Sequence, residues 1–406
     1  MPADRSVAVI GLGYIGLPTA AILASHGFDV TGVDVNPRHV DAVNRGEVPF
    51  VEPALGDYVA DAVRSGHLRA QAETPPADVF IIAVPTPFAE GYKVDTRYID
   101  AATDAIIPLL TGSELVILES TSPPGTTEHV ADRVAATRPE LTGTESAHAP
   151  ERVLPGRVME ELVTNDRIVG GLTPAAAERT RALYATFCEA ELHLTDARTA
   201  ELAKLTENAF RDVNIAFANE LSLISDGLGI DVWELIELAN KHPRVNILQP
   251  GPGVGGHCIA VDPWFIVSSA PESARLIRTA REVNDSKPAW VIDQVVQAAA
   301  GLENPTIAVL GLAFKPDIDD LRESPALNIA HQLPAAVPYA TVLAVEPNIG
   351  ELPVKLGEAG IELASVTEAV SRADIVVLLV DHRDFKGLDR VLLDGKKVID
   401  TRGAWR

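Results

Sequence analysis

Two cysteines stand in this chain of 406 residues, in opposite settings. Cys188 lies in LYATFCEAEL, an apolar stretch in which a thiol packs as a small hydrophobe. Cys258 lies in GVGGHCIAVDP, where glycines leave a side chain open and backbone amides available, and Asp262 follows four residues later. A thiol in such a loop is a candidate nucleophile. Lys204, Asn208 and Arg211 are spaced i, i+4 and i+7, so on a helix they leave from one stripe. Polar stripes are often merely solvated. Here Ala203, Leu205, Ala209 and Phe210 flank the three donors, which places them at a domain junction. His148, His193 and His242 show no ligand spacing and no Cys or carboxylate completes a set, so no catalytic metal is expected.

A second group of residues points to a dinucleotide. GLGYIG, Gly11 to Gly16, matches G-x-G-x-x-G: Gly11 makes the turn, Gly13 lets the backbone approach a pyrophosphate, and Gly16 allows close helix packing. The motif follows an apolar strand and opens a helix. Asp34 ends the next strand, 18 residues after Gly16, where a carboxylate accepts from ribose hydroxyls and repels a 2′-phosphate. NAD is therefore expected over NADP. Arg38, four residues further, is placed to accommodate a phosphate and soften that preference. The bland alternative is that these glycines and Asp34 only shape a strand-turn-helix.

The elements that must hold these residues can be read in outline. VAVIGLG, FDVTGVD, DVFIIAVPTP and ELVILEST alternate with amphipathic stretches, the rhythm of βαβ units and a parallel sheet. From Asp196 to Gly227 the chain has no Pro and no Gly before its end, which predicts one helix of about thirty residues, roughly 45 Å long. Asp196 or Thr199 caps its start and Gly227 ends it. More helix is expected to about Leu248, then the Pro/Gly-dense loop QPGPGVGGHCIAVDP, then helix from Glu272 past Trp290. TIAVLGLAFKP, TVLAVEP, ADIVVLLVDH and KKVIDTRGAWR then repeat the first rhythm in weaker form. The expected fold class is α/β: two Rossmann-like, doubly wound parallel-sheet domains joined by a helical central domain. The boundaries are placed at 1–195, 196–300 and 301–406.

Composition removes several functions. The 57 acidic against 34 basic side chains give a net charge of −23, which argues against binding nucleic acid or an anionic membrane surface. Any basic groups that hold an anionic ligand must be concentrated locally. Two cysteines form no disulfide framework, which suits the cytoplasm. Val7 to Ala24 is uncharged but broken by Gly11, Gly13, Gly16 and Pro18, so it reads as buried strand, turn and helix and not as a signal peptide or span.

The motifs GLGYIGLPTA, AVPTPF, ESTSPPGT, PERVLPG, AKLTENAFRDVNIAFANEL, GPGVGGHCIAVDPWF, GLAFKPDIDDLRESPA and VEPN together resemble the UDP-glucose/GDP-mannose dehydrogenase family, over essentially the whole chain. The resemblance is strongest to its UDP-N-acetyl-D-mannosamine branch. Where the UDP-glucose branch has a second glutamate and a lysine, this chain has Pro155 and Val261, so those two roles have no counterpart. The family implies a four-electron oxidation of the C6 alcohol to a carboxylate with two NAD used in turn, a reaction that feeds polysaccharide biosynthesis. By the same resemblance Cys258 forms a thiohemiacetal and then a thioester, Lys204 and Asn208 hold the oxyanion, Asp262 and Thr121 orient water or relay a proton, and Glu151 assists hydrolysis. A carboxylate followed by Arg152 has a plain alternative, an ion pair between the two.

The resemblance further assigns Tyr14, Ile15, Asp34, Thr86, Thr121 and Arg322 to NAD. It assigns Arg152, Val153, Lys204, Asn208 and Arg211 to the UDP-sugar, together with His242, Arg244, Gly255, Phe314 and Lys315. Arg152, Arg211, Arg244, Lys315 and Arg322 supply the concentrated positive charge that a diphosphate requires. The family also implies a homodimer built on the central helices, with the His242 to Arg244 loop reaching the neighbouring subunit's substrate. The competing readings are a UDP-N-acetylglucosamine 6-dehydrogenase, a two-electron hydroxyacyl or 6-phosphogluconate type of dehydrogenase, which has no use for Cys258 or a second α/β domain, and an NAD-binding regulator without catalysis, against which Lys204, Asn208, Cys258 and Asp262 all stand.

Overall fold

The computed structural model describes residues 4–406 except 89, 155 and 257, so the expectation attached to Pro155 lies outside the described residues. Packing divides the chain into two compact units, the first ending at Glu207 and the second running from Asn208 to Arg406.

In the first unit β1 (Ser6–Ile10), β2 (Asp29–Val33), β3 (Leu68–Gln71), β4 (Val79–Ile82), β5 (Leu115–Leu118), β6 (Glu145–His148), β7 (Arg167–Gly171) and β8 (Leu192–Asp196) form one sheet. The order is β3-β2-β1-β4-β5-β6-β7-β8. The first six strands run parallel, as expected of a doubly wound domain. VFII of β4 and LVIL of β5 are buried throughout, because helices cover both faces of the sheet. One core packs Leu17, Ile22 and Tyr184 on one face, and another packs Phe80, Ile99 and Ile106 on the other. The parallel run stops at β6. The chain leaves and returns at the same end, so β7 pairs with β6 antiparallel and β8 then follows β7 in parallel.

The expected long helix spans Ala197–Leu228, 32 residues. Asp196 caps it, accepting the Thr199 amide at 2.9 Å and the Thr199 hydroxyl at 2.6 Å. Gly227 does not end it. The left-handed φ that stops the helix falls on Gly229 (φ 68°), where Ile230 N donates back to Ser225 O at 2.9 Å. The helix expected to reach Leu248 is shorter, Val232–Ala239. Asn240 closes the loop beyond it, donating to Ile247 O at 3.0 Å and accepting Ile247 N at 2.7 Å, with Pro243 between.

In the second unit β9 (Thr306–Leu310), β10 (Thr341–Val345), β11 (Glu362–Leu363), β12 (Ile375–Leu378) and β13 (Lys397–Asp400) form a parallel sheet in the order β11-β10-β9-β12-β13. The helix Arg275–Ala299 is fixed to the long helix by a buried network: Arg281 donates to Asp212 at 2.6 Å, Asn284 to Asp212 at 2.8 Å, and Asn219 to Asn284 at 2.8 Å.

Candidate functional site

The sheet of the first unit gathers most of the residues expected at the cofactor, Arg322 lying in the second unit. Strand order reverses between β1 and β4, and the crevice beyond the carboxyl ends of such strands is where this architecture binds ligands. Gly11 to Gly16 follow β1, Asp34 follows β2, Thr86 follows β4, Thr121 follows β5, and Glu151 to Val153 follow β6. Gly11 has φ 98°, and a Cβ there would lie 2.3 Å from Ala83 O, so no side chain fits. A Cβ on Gly13 would meet nothing within 4 Å, which leaves its backbone open to a pyrophosphate. Ile15 stands before the helix Gly16–Ser25, whose first turn has no side-chain cap. Asp34 accepts Leu12 N at 2.9 Å and Asn36 N at 2.8 Å, which fixes its carboxylate at the crevice. Tyr14 stacks on Phe50 with centroids 4.3 Å apart. Arg38 is exposed on the helix Pro37–Asn44, and Thr86 and Thr121 are half-buried. These residues fit a bound NAD.

Arg152 and Glu151 do not pair with each other through their side chains. Arg152 reaches Glu207 at 2.8 Å and the carbonyl of Asp166 at 3.0 Å, while the Glu151 carboxylate is buried against Arg167 at 2.8 Å. Val153 packs against the core, and Lys204 is half-buried on the long helix.

The second unit brings together the thiol and the loop after β9. Cys258 is exposed in a turn whose carbonyl accepts Asp262 N at 2.8 Å and Val261 N at 3.1 Å. Asp262 is buried at the start of the helix Asp262–Ser269, and its Oδ2 accepts Asn208 Nδ2 at 2.5 Å. A Cβ on Gly255 would lie 2.4 Å from Glu323 O, and one on Gly256 3.0 Å from the Phe314 ring. The loop that carries Cys258 therefore lies on the segment that carries Phe314 and half-buried Lys315. Its start is held too, since Gly251 N donates to Asn219 Oδ1 at 2.8 Å. Arg322 pairs with Asp320 at 2.7 Å on the same segment. Arg211, His242 and Arg244 are exposed, and Arg244 N donates to His242 Nδ1 at 3.3 Å. Cys188 is buried, with its thiol 3.6 Å from Asn165 O.

The NAD-binding domain of the UDP-glucose/GDP-mannose dehydrogenase family matches residues 5–188, its central domain residues 198–286 and its UDP-binding domain residues 308–406. The chain belongs to this family. Like the family as a whole, it is an NAD-dependent nucleotide-sugar dehydrogenase. It is 59% identical to the NDP-N-acetyl-D-galactosaminuronic acid dehydrogenase of Ralstonia nicotianae, over 99% of this chain and 96% of that one. It is 55% identical to the UDP-N-acetyl-D-mannosamine dehydrogenase of Escherichia coli, over 99% of each. Among solved structures, the UDP-N-acetyl-mannosamine dehydrogenase of Staphylococcus aureus matches with a TM-score of 0.88 at 44% identity, covering 98% of this chain and 95% of that one. In this family member no helix among the described residues is long and apolar enough to cross a membrane.

The sequence reading missed what surrounds Glu151. Glu119 follows β5 inside the quoted ESTSPPGT, Arg167 begins β7, and Tyr184 lies on the helix Pro174–Tyr184, and all three are buried. A buried glutamate closing a continuous apolar strand was the available signal. It also missed Glu346, although VEPN at the end of β10 echoes VDVN at the end of β2.

Proposed function

We propose that the chain oxidises the C6 alcohol of UDP-N-acetyl-D-mannosamine to the uronate through a covalent adduct on Cys258. The observation that carries this reading is the setting of that thiol: exposed, in a glycine-lined turn packed on Phe314, with its carbonyl tied to Asp262. The likeness to the Escherichia coli enzyme supports the sugar.

Bound NAD supplies a hydride acceptor for each of the two oxidations. At the aldehyde stage the Cys258 thiolate adds to the carbonyl carbon, and the carbonyl electron pair moves to oxygen. Lys204 and Asn208, one turn apart on a single helix, donate to that oxyanion. Asp262 holds the Asn208 amide in place for this. Loss of hydride from the tetrahedral carbon leaves a thioester. Thr121 and Asp262 orient water or relay its proton, and Glu151 receives the proton as the carboxylate forms and the thiolate leaves. Gly11, Gly13, Tyr14, Ile15, Gly16, Asp34, Thr86, Thr121 and Arg322 hold NAD, with Arg38 beside the ribose. Arg152, Val153, Arg211, Gly255, Phe314 and Lys315 hold the UDP-sugar.

The reading includes domains at 1–195, 196–300 and 301–406, a location in the cytoplasm, and a homodimer in which His242 and Arg244 of one subunit serve the other's substrate. Phe210, Phe217 and Ile224 recur every seven residues on the long helix and are 71%, 51% and 52% exposed, a stripe suited to a second copy of the same helix.

A second reading has a specific observation behind it. The relative named for N-acetyl-D-galactosaminuronic acid is 59% identical, which makes the galacto sugar the alternative to the manno one. One assay tests both: NADH formed per mole of UDP-N-acetylmannosamine, UDP-N-acetylgalactosamine, UDP-N-acetylglucosamine and UDP-glucose. Two NADH per UDP-N-acetylmannosamine, with the others poor, is the expected result. One NADH per sugar would end the four-electron reading.

A further inference from the structure

A buried cluster in the first unit places two carboxylates against one cation. Arg167 is 4% exposed, and its Nη2 donates to Glu151 Oε2 at 2.8 Å and to Glu119 Oε1 at 3.3 Å. Glu119 also receives the Tyr184 hydroxyl at 3.0 Å and the Thr19 hydroxyl at 3.1 Å. The other Glu151 oxygen accepts Arg152 N at 2.6 Å. The guanidinium lies 4.5 Å above the Tyr184 ring, and Phe187 flanks it. His148, on neighbouring β6, is pushed by burial down to about 3 and adds no charge. With both glutamates ionised the cluster holds net negative charge away from water, which is costly; with one proton it is neutral. Burial pushes Glu119 up to about 7, with Arg167 opposing the rise and the Glu151 charge adding to it.

We propose that Glu119 is a positioning residue for Glu151: the two carboxylates compete for one guanidinium, so a proton on Glu119 gives Arg167 wholly to Glu151, and loss of that proton takes part of the hold away. The inference rests on Glu151 acting as the base of thioester hydrolysis. In that step the water oxygen bonds to the acyl carbon, its proton goes to Glu151, and the C–S bonding pair returns to Cys258 as thiolate. A carboxylate gripped by Arg167 accepts that proton poorly, and one that shares Arg167 with an ionised Glu119 accepts it better. Glu119 touches neither water nor substrate in this scheme; it sets the pH at which Glu151 becomes effective.

The test is single-turnover release of acid across about pH 6 to 9, where a group near neutrality titrates, using whichever UDP-sugar the protein turns over. Wild type, Glu119→Gln, Glu119→Asp and Glu151→Gln are compared, with the first NADH burst recorded alongside. Wild-type acid release should climb through neutrality. Glu119→Gln should lose that climb and be about tenfold slower at the alkaline end, the equivalent of one pH unit, with the first burst unchanged; Glu119→Asp should restore a climb. A wild-type profile in Glu119→Gln, with Glu151→Gln slow, overturns the positioning role alone. Wild-type acid release in Glu151→Gln overturns the reading of Glu151 itself. Should Glu119→Gln fold poorly, infrared difference spectra of the wild-type protein between acid and alkaline pH decide: one buried protonated-carboxyl band must disappear, and its absence at the acid end overturns the proposal.

Discussion

Glu346 does at the end of β10 what Asp34 does at the end of β2. Each carboxylate accepts the amide two residues after itself, Asn348 N at 3.2 Å and Asn36 N at 2.8 Å, and each reaches across to the first turn of its sheet, Leu312 N at 2.8 Å and Leu12 N at 2.9 Å. Gly311 and Gly11 carry matching φ values of 95° and 98°. The two sites differ in what occupies the remaining acceptor capacity. Glu346 takes a close bond from His382 Nε2 at 3.0 Å and is 4% exposed, so its carboxylate serves the fold, whereas Asp34 meets His39 Nδ1 only at 3.4 Å and stays half-buried at the crevice, where we propose a ribose binds.

Asp34→Ser should therefore narrow the preference for NAD over NADP, by roughly tenfold or about 1.4 kcal/mol. The carboxylate that repels a 2′-phosphate is gone, and Arg38 remains to receive it. The ratio of kcat/KM for the two cofactors measures this, and an unchanged ratio would remove Asp34 from the ribose site.

For Glu346 the expectation concerns stability and acid. Burial pushes its carboxyl up, but the hydrogen bonds from His382 and from the amides of Leu312 and Asn348 outweigh that and hold it below the usual carboxylate range. A group depressed in the folded state contributes stability that is present above its unfolded value and is lost as pH falls through its folded value. Glu346→Gln should cost about 1.5–3 kcal/mol near neutrality, the range for hydrogen bonds to a charged group, and the gap to wild type should close on acidification. Melting curves of both proteins from neutral pH downward give the answer; a gap that stays constant would show that ionisation is not what Glu346 contributes.

Arg281 carries a larger stake. Its guanidinium is 1% exposed against Asp212, which is fully buried and also receives Asn284. Arg281→Met removes the cation and strands the carboxylate, a change that costs about 3–5 kcal/mol in buried pairs. Adding Asp212→Asn should recover part of the loss, because the fully buried charge is then gone and only Asp285, the half-exposed second partner of Arg281, keeps an unpaired carboxylate. Urea unfolding of the single and double variants measures both. Since Asn284 bonds Asn219, and Asn219 holds Gly251, the single variant should also raise the KM for the UDP-sugar.

The stripe on the long helix leads to a solution experiment. Phe217→Glu puts a charge in the middle of Phe210, Phe217 and Ile224, and sedimentation should show the proposed dimer for the wild-type protein and monomer for the variant. Full activity of that monomer would remove any role for the partner's Arg244.

What could be read from the sequence was local. The apolar run of β1, the glycines after it and Asp34 lie within one supersecondary unit, and the long helix announces itself by an unbroken apolar period. The strands that escaped notice, LRAQ of β3, ESAH of β6, RIVGG of β7, LHLTD of β8 and EL of β11, are short and either mixed in polarity or ended by glycines, and only their neighbours in the sheets make them strands. The partner of Glu151 escaped for a related reason. Arg152 is adjacent in sequence, but the chain turns its guanidinium to Glu207, and the cation that meets Glu151 arrives from β7, 16 residues on. Glu119 and Thr19 are 100 residues apart, and no pattern in one dimension joins them.

The sharpest prediction concerns Cys258. An aldehyde cannot give up a second hydride until a nucleophile makes its carbon tetrahedral, and of the two thiols only Cys258 is exposed, Cys188 being buried. Cys258→Ser replaces a thiol that ionises readily by a hydroxyl that does not, so turnover to the acid should fall by about 10³-fold or more, the scale seen when an activated nucleophile is lost. The serine ester, if formed, also hydrolyses more slowly than a thioester, so an acyl-enzyme should accumulate and be visible by intact-protein mass. Cys188→Ser should leave turnover near the wild-type value. Two NADH per sugar at the wild-type rate from Cys258→Ser would show that the carbon becomes tetrahedral by another route, with water adding directly, and the covalent reading of the loop from Gly251 to Asp262 would have to be given up.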